Sequence, residues 1–315
     1  MYEKWKGVHT RSAFNMIQEL IPLTRPRTLA AALGPTILGA AFSYYAFGAT
    51  QGTGLAIFHT VLIFLAVVTA QIVANLWNEY KDFKSGLDAG QKVGNAGSIT
   101  RGAITPELII TMIKVLMFVP ITIGIYLSAT ITWYYIPIGF LCILISFLYS
   151  GGPKPISRTP FGEISSGIAM GFAIVLITGY AWIRELSLAL LIPAIPSTLL
   201  VGSIMLTNNI RDIRNDESHG RHTLPIVLGR ERALSLMSIS YIFNFIWIIA
   251  WIIIGHMTWF ALLAFLSAPL AFKTIHTLST NTDEFQLDKA MGTTAGAAMI
   301  YQLMWAIGLI MGKLF

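Results

Sequence analysis

The feature that most constrains this chain is a series of long apolar runs. Each is close to the roughly 20 residues that a helix needs to cross a hydrocarbon core about 30 Å thick. Nine such runs lie at 29–48, 55–78, 108–130, 132–149, 162–182, 187–209, 234–255, 257–275 and 289–311. Lipid offers the backbone no hydrogen-bond partners, and barrel strands are shorter and alternate in polarity. The sequence therefore predicts an all-α polytopic membrane protein, a bundle of nine transmembrane helices.

Composition excludes the main alternative, a water-soluble globular domain. Hydrophobic residues make up 55% of the 315 residues and charged residues only 11%, against roughly 25% charged in soluble proteins. The single cysteine, Cys142, excludes an internal disulfide framework and a cysteine-based metal cluster.

The basic residues predict how the bundle is oriented. Eighteen of the 21 lysines and arginines fall in the N-terminal tail or in the connections that follow even-numbered runs. The positive-inside rule assigns these segments to the cytoplasm. We therefore expect a multi-pass protein of the cell membrane, surrounded by lipid, with a cytoplasmic N-terminus. Topology accounts for the net charge of +6, so no nucleic-acid partner is expected.

Two polar stretches, NLWNEYKDFKSGLD (75–88) and NNIRDIRNDESHGR (208–221), follow the second and sixth runs. Each places an asparagine four residues before an aspartate, and the two pairs are 130 residues apart. This register indicates an internal repeat. We predict a single domain over 1–315, with halves at about 25–155 and 156–285 and an extra span at 289–311.

The acidic residues of these stretches indicate a cation site. Residues four apart share a helix face, so Asn208, Asp212 and Asp216 are expected to form one polar stripe, as are Asn78 and Asp82. Facing carboxylate edges repel each other unless a cation lies between them, and oxygen ligands favour a hard cation, Mg²⁺ above Ca²⁺ or Zn²⁺. Mg²⁺ commonly bridges to substrate phosphates, whose remaining charge the interleaved basic side chains would neutralise.

The two motifs, NxxxDxxxxxD and NNIRDxxxD, resemble the paired Asp-rich motifs of the UbiA superfamily of membrane prenyltransferases. The resemblance covers nearly the whole chain. It includes LTRPRTL (23–29), FLYSGGPKPISRTPFGEISSG (147–167) and GRHTLPIVLGR (220–230). These flanking segments are most similar to the family members that prenylate 1,4-dihydroxy-2-naphthoate.

The resemblance implies a nine-helix bundle around a central cavity with a cytoplasmic cap, in which Mg²⁺ binds a polyprenyl diphosphate. The implied metal-binding and catalytic acids are Asp82, Asp88, Asp212 and Asp216, with Asn78 and Asn208 as auxiliary ligands to metal or diphosphate. Further substrate contacts are expected from Lys81, Lys84, Arg211 and Lys154 toward diphosphate, Arg25 toward the acceptor carboxylate, and Tyr149 toward the reacting centre. Tyr149 also fits an interfacial aromatic belt, and Lys154 and Arg25 fit anchors at the membrane surface.

Two departures from the family pattern and two local signals accompany the motifs. Glu79 stands where many family members have aspartate, and an arginine that some carry after the third acid is missing, so Lys92 or Arg101 is a candidate substitute. Glu163, at the start of the fifth run, is expected to cap its helix. Gly167 and Gly171 form a GxxxG pattern that indicates close helix contact.

The implied reaction is Mg²⁺-dependent prenylation of 1,4-dihydroxy-2-naphthoate with loss of CO₂, giving demethylmenaquinone. Ionisation of the allylic C–O bond requires a dry cavity, because water would quench the cation. Two alternatives remain at this point: a family member with another acceptor, such as 4-hydroxybenzoate or haem, or an ion transporter or channel with paired acidic edges.

Overall fold

The protein was analysed as a computed structural model that describes residues 19–86 and 97–315. All regular secondary structure in these residues is helical. The long helices follow the apolar runs in order: α1 (Ala30–Phe47), α2 (Thr53–Ser85), α3 (Pro106–Thr130), α4 (Tyr135–Ser150), α5 (Gly162–Ile183), α6 (Leu188–Arg211), α7 (Arg230–Ile253), α8 (Trp259–Thr280) and α9 (Glu284–Leu314). Two short helices, Ile213–Ser218 and Leu224–Leu228, lie between α6 and α7. The predicted all-α class is confirmed for the described part of the chain.

The helices have the length and surface of a multi-pass membrane protein. Within the described ranges, seven helices (α2, α3 and α5 to α9) are long and apolar enough to cross a membrane, and α4 is a shorter apolar helix of 16 residues. Large apolar side chains face outward, including Phe118 and Phe140, which are 72% and 67% exposed. The count of nine crossings and the division into two halves stay predictions.

Ordinary local signals set several helix boundaries. Thr105 accepts a hydrogen bond from the Leu108 backbone N–H at 3.2 Å and begins α3. Gly86, with a φ of +75°, adopts the left-handed conformation that ends α2. α2 therefore continues well past residue 78, where the apolar run ends, and Asp82 lies on its last turn.

Close backbone contact joins α5 to α6. α5 includes a π-helical segment, Gly167–Phe172. A Cβ atom at Gly167 would lie 2.5 Å from the Thr198 carbonyl oxygen, and one at Gly171 would lie 2.6 Å from the Ser197 carbonyl oxygen. The contact predicted from the GxxxG pattern is thus confirmed, and it places the start of α5 beside the end of α6.

The packed interior has two main parts. One large apolar core joins α1 with α5 to α9, and a smaller core joins α2, α3 and the chain at 97–104. A cavity lies between these parts and carries the polar groups described below.

Candidate active site

A cavity of about 290 Å³ opens between α2, α3, α4, α5 and α6. Most of the side chains that line it are apolar, among them Ile63 and Leu127. Asn78, Tyr149 and Asn208 also line it, and each lies in the last turns of its helix. The cavity therefore combines an apolar body with one polar end, which suits a ligand with a long apolar tail and a charged head.

Polar contacts join the helix ends on the far side of the cavity. Arg184, after α5, donates hydrogen bonds to the carbonyl oxygens of Thr130 (2.8 Å) and Ile131 (2.9 Å) at the end of α3. Tyr135, which lines the cavity from α4, donates to the Ile177 carbonyl oxygen at 2.8 Å. These bonds hold α3, α4 and α5 together at the end remote from the acidic motifs.

The segment before α1 brings Arg25 to the cavity. Two amides of α2 hold this segment: Gln71 Nε2 donates to the Thr28 carbonyl oxygen at 2.6 Å, and Asn75 Nδ2 donates to that of Thr24 at 3.0 Å. Arg25 has a φ of +49°, which is uncommon for a residue other than glycine. The two side-chain bonds keep this unusual backbone at the cavity wall.

The first motif reaches the polar end of the cavity through Asn78. Asn78 Oδ1 accepts a hydrogen bond from Ser150 Oγ at 2.8 Å, which ties α2 to α4. Asp82, one turn further on, lies within electrostatic reach of Arg25 and Arg221. The third acid of this motif, Asp88, lies outside the described residues.

The lysines of the first motif lie along their own helix. Lys81 Nζ is 5.3 Å from the centre of the Trp77 ring, and Lys84 Nζ is 5.2 Å from that of Tyr80. Such cation–π contacts are favourable at a helix surface. Neither lysine is among the described residues that line the cavity.

The second motif is interrupted at Asp212. The Asp212 N–H nevertheless donates to the Asn208 carbonyl oxygen at 3.1 Å, and the Asp216 N–H donates to the Asp212 carbonyl oxygen at 2.9 Å. The single stripe of Asn208, Asp212 and Asp216 therefore stays a prediction. α6 ends at Arg211, and Asp212, with φ −95° and ψ 7°, separates it from the short helix that carries Asp216. At this interruption, the Asp212 carboxylate accepts hydrogen bonds from Arg211 Nε and Nη2 at 2.7 Å each.

Arg211 is already engaged by other protein groups. Besides Asp212, it binds Asp288 of α9 at 2.8 Å and donates to Asn208 Oδ1 at 2.9 Å. The structure therefore places this residue, expected at the diphosphate, in an ion-pair network between α6 and α9.

Asp216 is the buried acid of the second motif. Its side chain is 1% exposed, and its Oδ1 accepts a hydrogen bond from Arg221 Nη1 at 2.8 Å. Its Oδ2 is buried without a hydrogen-bond partner among the described residues. Burial raises the pKa of Asp216 above its usual range, although the Arg221 ion pair acts in the opposite direction. A buried carboxylate oxygen without a hydrogen-bond partner costs free energy, which a bound cation would offset.

Arg221 joins the two motifs, and sequence reasoning missed it. It lies within electrostatic reach of Asp82 on α2 as well as of Asp216, and also of Tyr149. Burial acts to lower the pKa of Arg221, but Asp216 and Asp82 raise it above its usual value, so the guanidinium stays charged. Its position in GRHTLPIVLGR, a segment that supports the family resemblance, was the available signal.

The other basic residues considered for this role lie elsewhere. Arg101 is exposed and its guanidinium is 3.5 Å from the Glu19 carboxylate, while Lys154 is exposed between α4 and α5. Lys92 lies outside the described residues. Arg25 and Arg221 lie within electrostatic reach of Asp82, and Arg221 also pairs with Asp216.

Glu79, which stands where many family members have aspartate, stabilises the local structure. It is 1% exposed, and its two carboxylate oxygens accept hydrogen bonds from the backbone N–H groups of Gly97 (3.2 Å) and Ile99 (3.3 Å). Its carboxylate ties the last turns of α2 to the chain that leads into α3.

The acids are better suited to a metal ion that also binds the substrate than to one whose ligands all come from the protein. Across residues 19–86 and 97–315, no three His, Cys, Asp or Glu side chains are grouped closely enough to hold a metal by themselves. Asp82 and Asp216 nevertheless face the same guanidinium from different motifs, and Asp216 retains an unpartnered oxygen. Oxygen donors of this kind suit Mg²⁺, which keeps water ligands and binds substrate phosphates.

Comparison with known sequences identifies close parallels. The model of the UbiA prenyltransferase family matches residues 32–307. The 1,4-dihydroxy-2-naphthoate octaprenyltransferase of Bacillus subtilis (strain 168) is 36% identical, and the match covers 98% of this chain and 97% of that protein. The protein of the same name from Mycobacterium tuberculosis is 27% identical over 92% of this chain and 96% of its own.

Solved structures show the same fold. The apo structure of a UbiA homolog from Aeropyrum pernix K1 matches with a TM-score of 0.66 at 18% identity, covering 90% of this chain and 97% of that one. A UbiA homolog from Archaeoglobus fulgidus, bound to GPP and Mg²⁺, matches with a TM-score of 0.60 at 16% identity, covering 90% and 98%.

Proposed function

Because the chain belongs to the UbiA prenyltransferase family, we propose that it transfers a polyprenyl group from polyprenyl diphosphate to 1,4-dihydroxy-2-naphthoate. The observation that carries the proposal is that Asp82 and Asp216, one from each motif, lie within electrostatic reach of the same Arg221. Asn78 and Asn208 of the same two motifs line the polar end of the apolar cavity. The names of the bacterial relatives support the choice of acceptor.

The proposed reaction balances without a further reactant. The C–O bond between the prenyl group and diphosphate breaks, and the prenyl carbon bonds to the ring carbon that carries the carboxylate. That carboxylate leaves as CO₂, and its electron pair restores the aromatic ring. The immediate product is the hydroquinone demethylmenaquinol, and its two-electron oxidation gives demethylmenaquinone.

Different side chains of the protein would bind the metal and stabilise the leaving diphosphate. Asp82 and Asp216, with Asn78 and Asn208 beside them, would hold Mg²⁺ on the diphosphate. The bound metal would neutralise charge on the departing diphosphate. Arg221 stabilises the same negative charge, as preorganised electrostatics requires.

The cavity protects and directs the prenyl cation. Its apolar wall excludes water, and the Tyr149 ring offers a π face near the polar end. Arg25, on the same wall, is placed to bind the acceptor carboxylate. We place this end of the bundle, and the N-terminus, on the cytoplasmic side of the cell membrane.

The proposal is tested with purified protein in detergent, Mg²⁺, a polyprenyl diphosphate and one acceptor at a time. We expect equal amounts of diphosphate, CO₂ and prenylated naphthoquinol, and no diphosphate release when Mg²⁺ or the acceptor is left out. Parallel reactions with 4-hydroxybenzoate and haem test the other acceptor classes. Product with either of these, and none with 1,4-dihydroxy-2-naphthoate, would overturn the proposed acceptor.

A further inference from the structure

One buried acid lies outside both motifs. Glu163, the second residue of α5, is 4% exposed, although a capping role at the helix start was expected of it. Its Oε1 accepts a hydrogen bond from Asn209 Nδ2 at 2.8 Å, and the Leu224 backbone amide also interacts with the carboxylate. Its Oε2 is buried without a partner among the described residues. A carboxylate in this position costs desolvation free energy that an apolar side chain would not.

The partners of Glu163 belong to the two segments that carry the second motif. Asn209 is the neighbour of Asn208, which lines the cavity. Leu224 begins the short helix three residues after Arg221. One side chain on α5 therefore hydrogen-bonds the end of α6 and lies near the loop that presents Arg221.

Further contacts make this loop a defined structure. The Arg221 backbone N–H donates to the Asp216 carbonyl oxygen at 3.0 Å, and the His222 N–H donates to the Arg158 carbonyl oxygen at 3.0 Å. Thr223 is fully buried. The Glu163 carboxylate interacts with the backbone amide of the next residue, Leu224, so its loss would weaken the support on one side of the loop while the Asp216 contacts remain.

We propose that Glu163 is a positioning residue for diphosphate binding, which holds Asn209 and Leu224 together so that Arg221 stays between the two motifs. The inference rests on the proposed function and extends it to a residue outside the motifs. Glu163 also lies within electrostatic reach of Asp216 and Tyr149.

The test measures binding of a labelled prenyl diphosphate in the presence of Mg²⁺, which needs no acceptor. Glu163→Ala removes both interactions, whereas Glu163→Gln keeps an oxygen for Asn209. We expect Glu163→Ala to raise the Kd about tenfold, a cost of about 1.4 kcal/mol, and Glu163→Gln to restore most of the affinity. Asn209→Ala removes the same bond from the other side and serves if Glu163→Ala does not fold. The matched control is Glu107→Ala, an exposed acid in the first turn of α3.

A double-mutant cycle separates positioning from general stability. If Glu163 acts through Arg221, the Glu163→Ala, Arg221→Ala double variant should bind no more weakly than Arg221→Ala alone. Fully multiplicative effects, or unchanged Kd in Glu163→Ala and Asn209→Ala with only a lower thermal midpoint, would overturn the inference. Failure of the wild type to prenylate 1,4-dihydroxy-2-naphthoate would instead contradict the proposed acceptor and leave this binding test intact.

Discussion

Arg221 is the residue on which the two acidic motifs depend. Arg221→Ala should lower kcat/KM about 100-fold or more, since removal of one preorganised electrostatic group commonly costs about 10²–10³ in rate. Arg221→Lys should recover only part of this loss, because an ammonium group cannot reproduce the planar set of guanidinium donors. Steady-state kinetics with diphosphate release as the readout measures both effects.

The control for this prediction is Arg232→Ala, which removes an exposed charge from the first turn of α7. It should behave as the wild type. Equal losses in the two alanine variants would show that Arg221 acts through net charge and not through its position beside Asp216.

The roles of the predicted acidic and basic residues stay predictions, but the structure shows which of these residues lie near one another. Asn78 and Asp82 lie on one helix, so their spacing of four residues predicts that they share a helix face. Arg221 and Asp82 lie in different halves of the chain, and no local pattern could relate them. Asp212 and Asp216 have the spacing of one helix face, but the bonds between Asp212 and Arg211 accompany a break in that helix.

The helices themselves were largely predictable, because apolar runs of membrane length can bury their backbone only as helices. Their polar ends were harder to predict. α2 continues to Ser85 through residues that carry no apolar signal, and it stops where Gly86 permits a left-handed cap. α8 begins as a 3₁₀ segment, Trp259–Ser267, which the apolar pattern does not distinguish from an α-helix.

The contact between α5 and α6 supports a prediction about stability. Gly171→Ala would place a methyl group 2.6 Å from the Ser197 carbonyl oxygen, so the two helices must separate. Overpacking of this kind costs about 1–3 kcal/mol. We expect a lower thermal midpoint in detergent, together with weaker prenyl diphosphate binding, because α5 carries Glu163.

Gly292→Ala on α9 provides the comparison, since a Cβ atom there would meet nothing within 4 Å. Its thermal midpoint should stay near that of the wild type. Equal midpoints for the two glycine variants would refute the role assigned to close packing of α5 on α6.

The orientation of the whole molecule is open to a labelling experiment. In a Cys142→Ala background, Glu185→Cys and Ser218→Cys place single thiols at exposed positions of the α5–α6 and α6–α7 connections. A membrane-impermeant thiol reagent should label Glu185→Cys in intact cells and Ser218→Cys only after permeabilisation. The reverse pattern would contradict a cytoplasmic active site.

For the molecule as a whole, sequence reasoning reached the fold class, and the family resemblance implied a central cavity, but neither showed which side chains line that cavity. The cavity depends on how five helices pack, and Glu163 and Arg25 reach their places through contacts with distant segments. These contacts include Asn209 bonding to Glu163 and Gln71 to Thr28. Contacts between residues so far apart in the chain produce no periodic pattern in the sequence.

The central claim is that acids from both motifs hold one divalent ion on the prenyl diphosphate. Electron paramagnetic resonance of Mn²⁺ titrated into the purified protein, with a prenyl thiodiphosphate that resists ionisation, tests this claim most directly. We expect one bound Mn²⁺ population that depends on the diphosphate and is lost in both Asp82→Asn and Asp216→Asn but kept in Glu231→Gln. Undiminished diphosphate-dependent Mn²⁺ binding in either aspartate variant would contradict it.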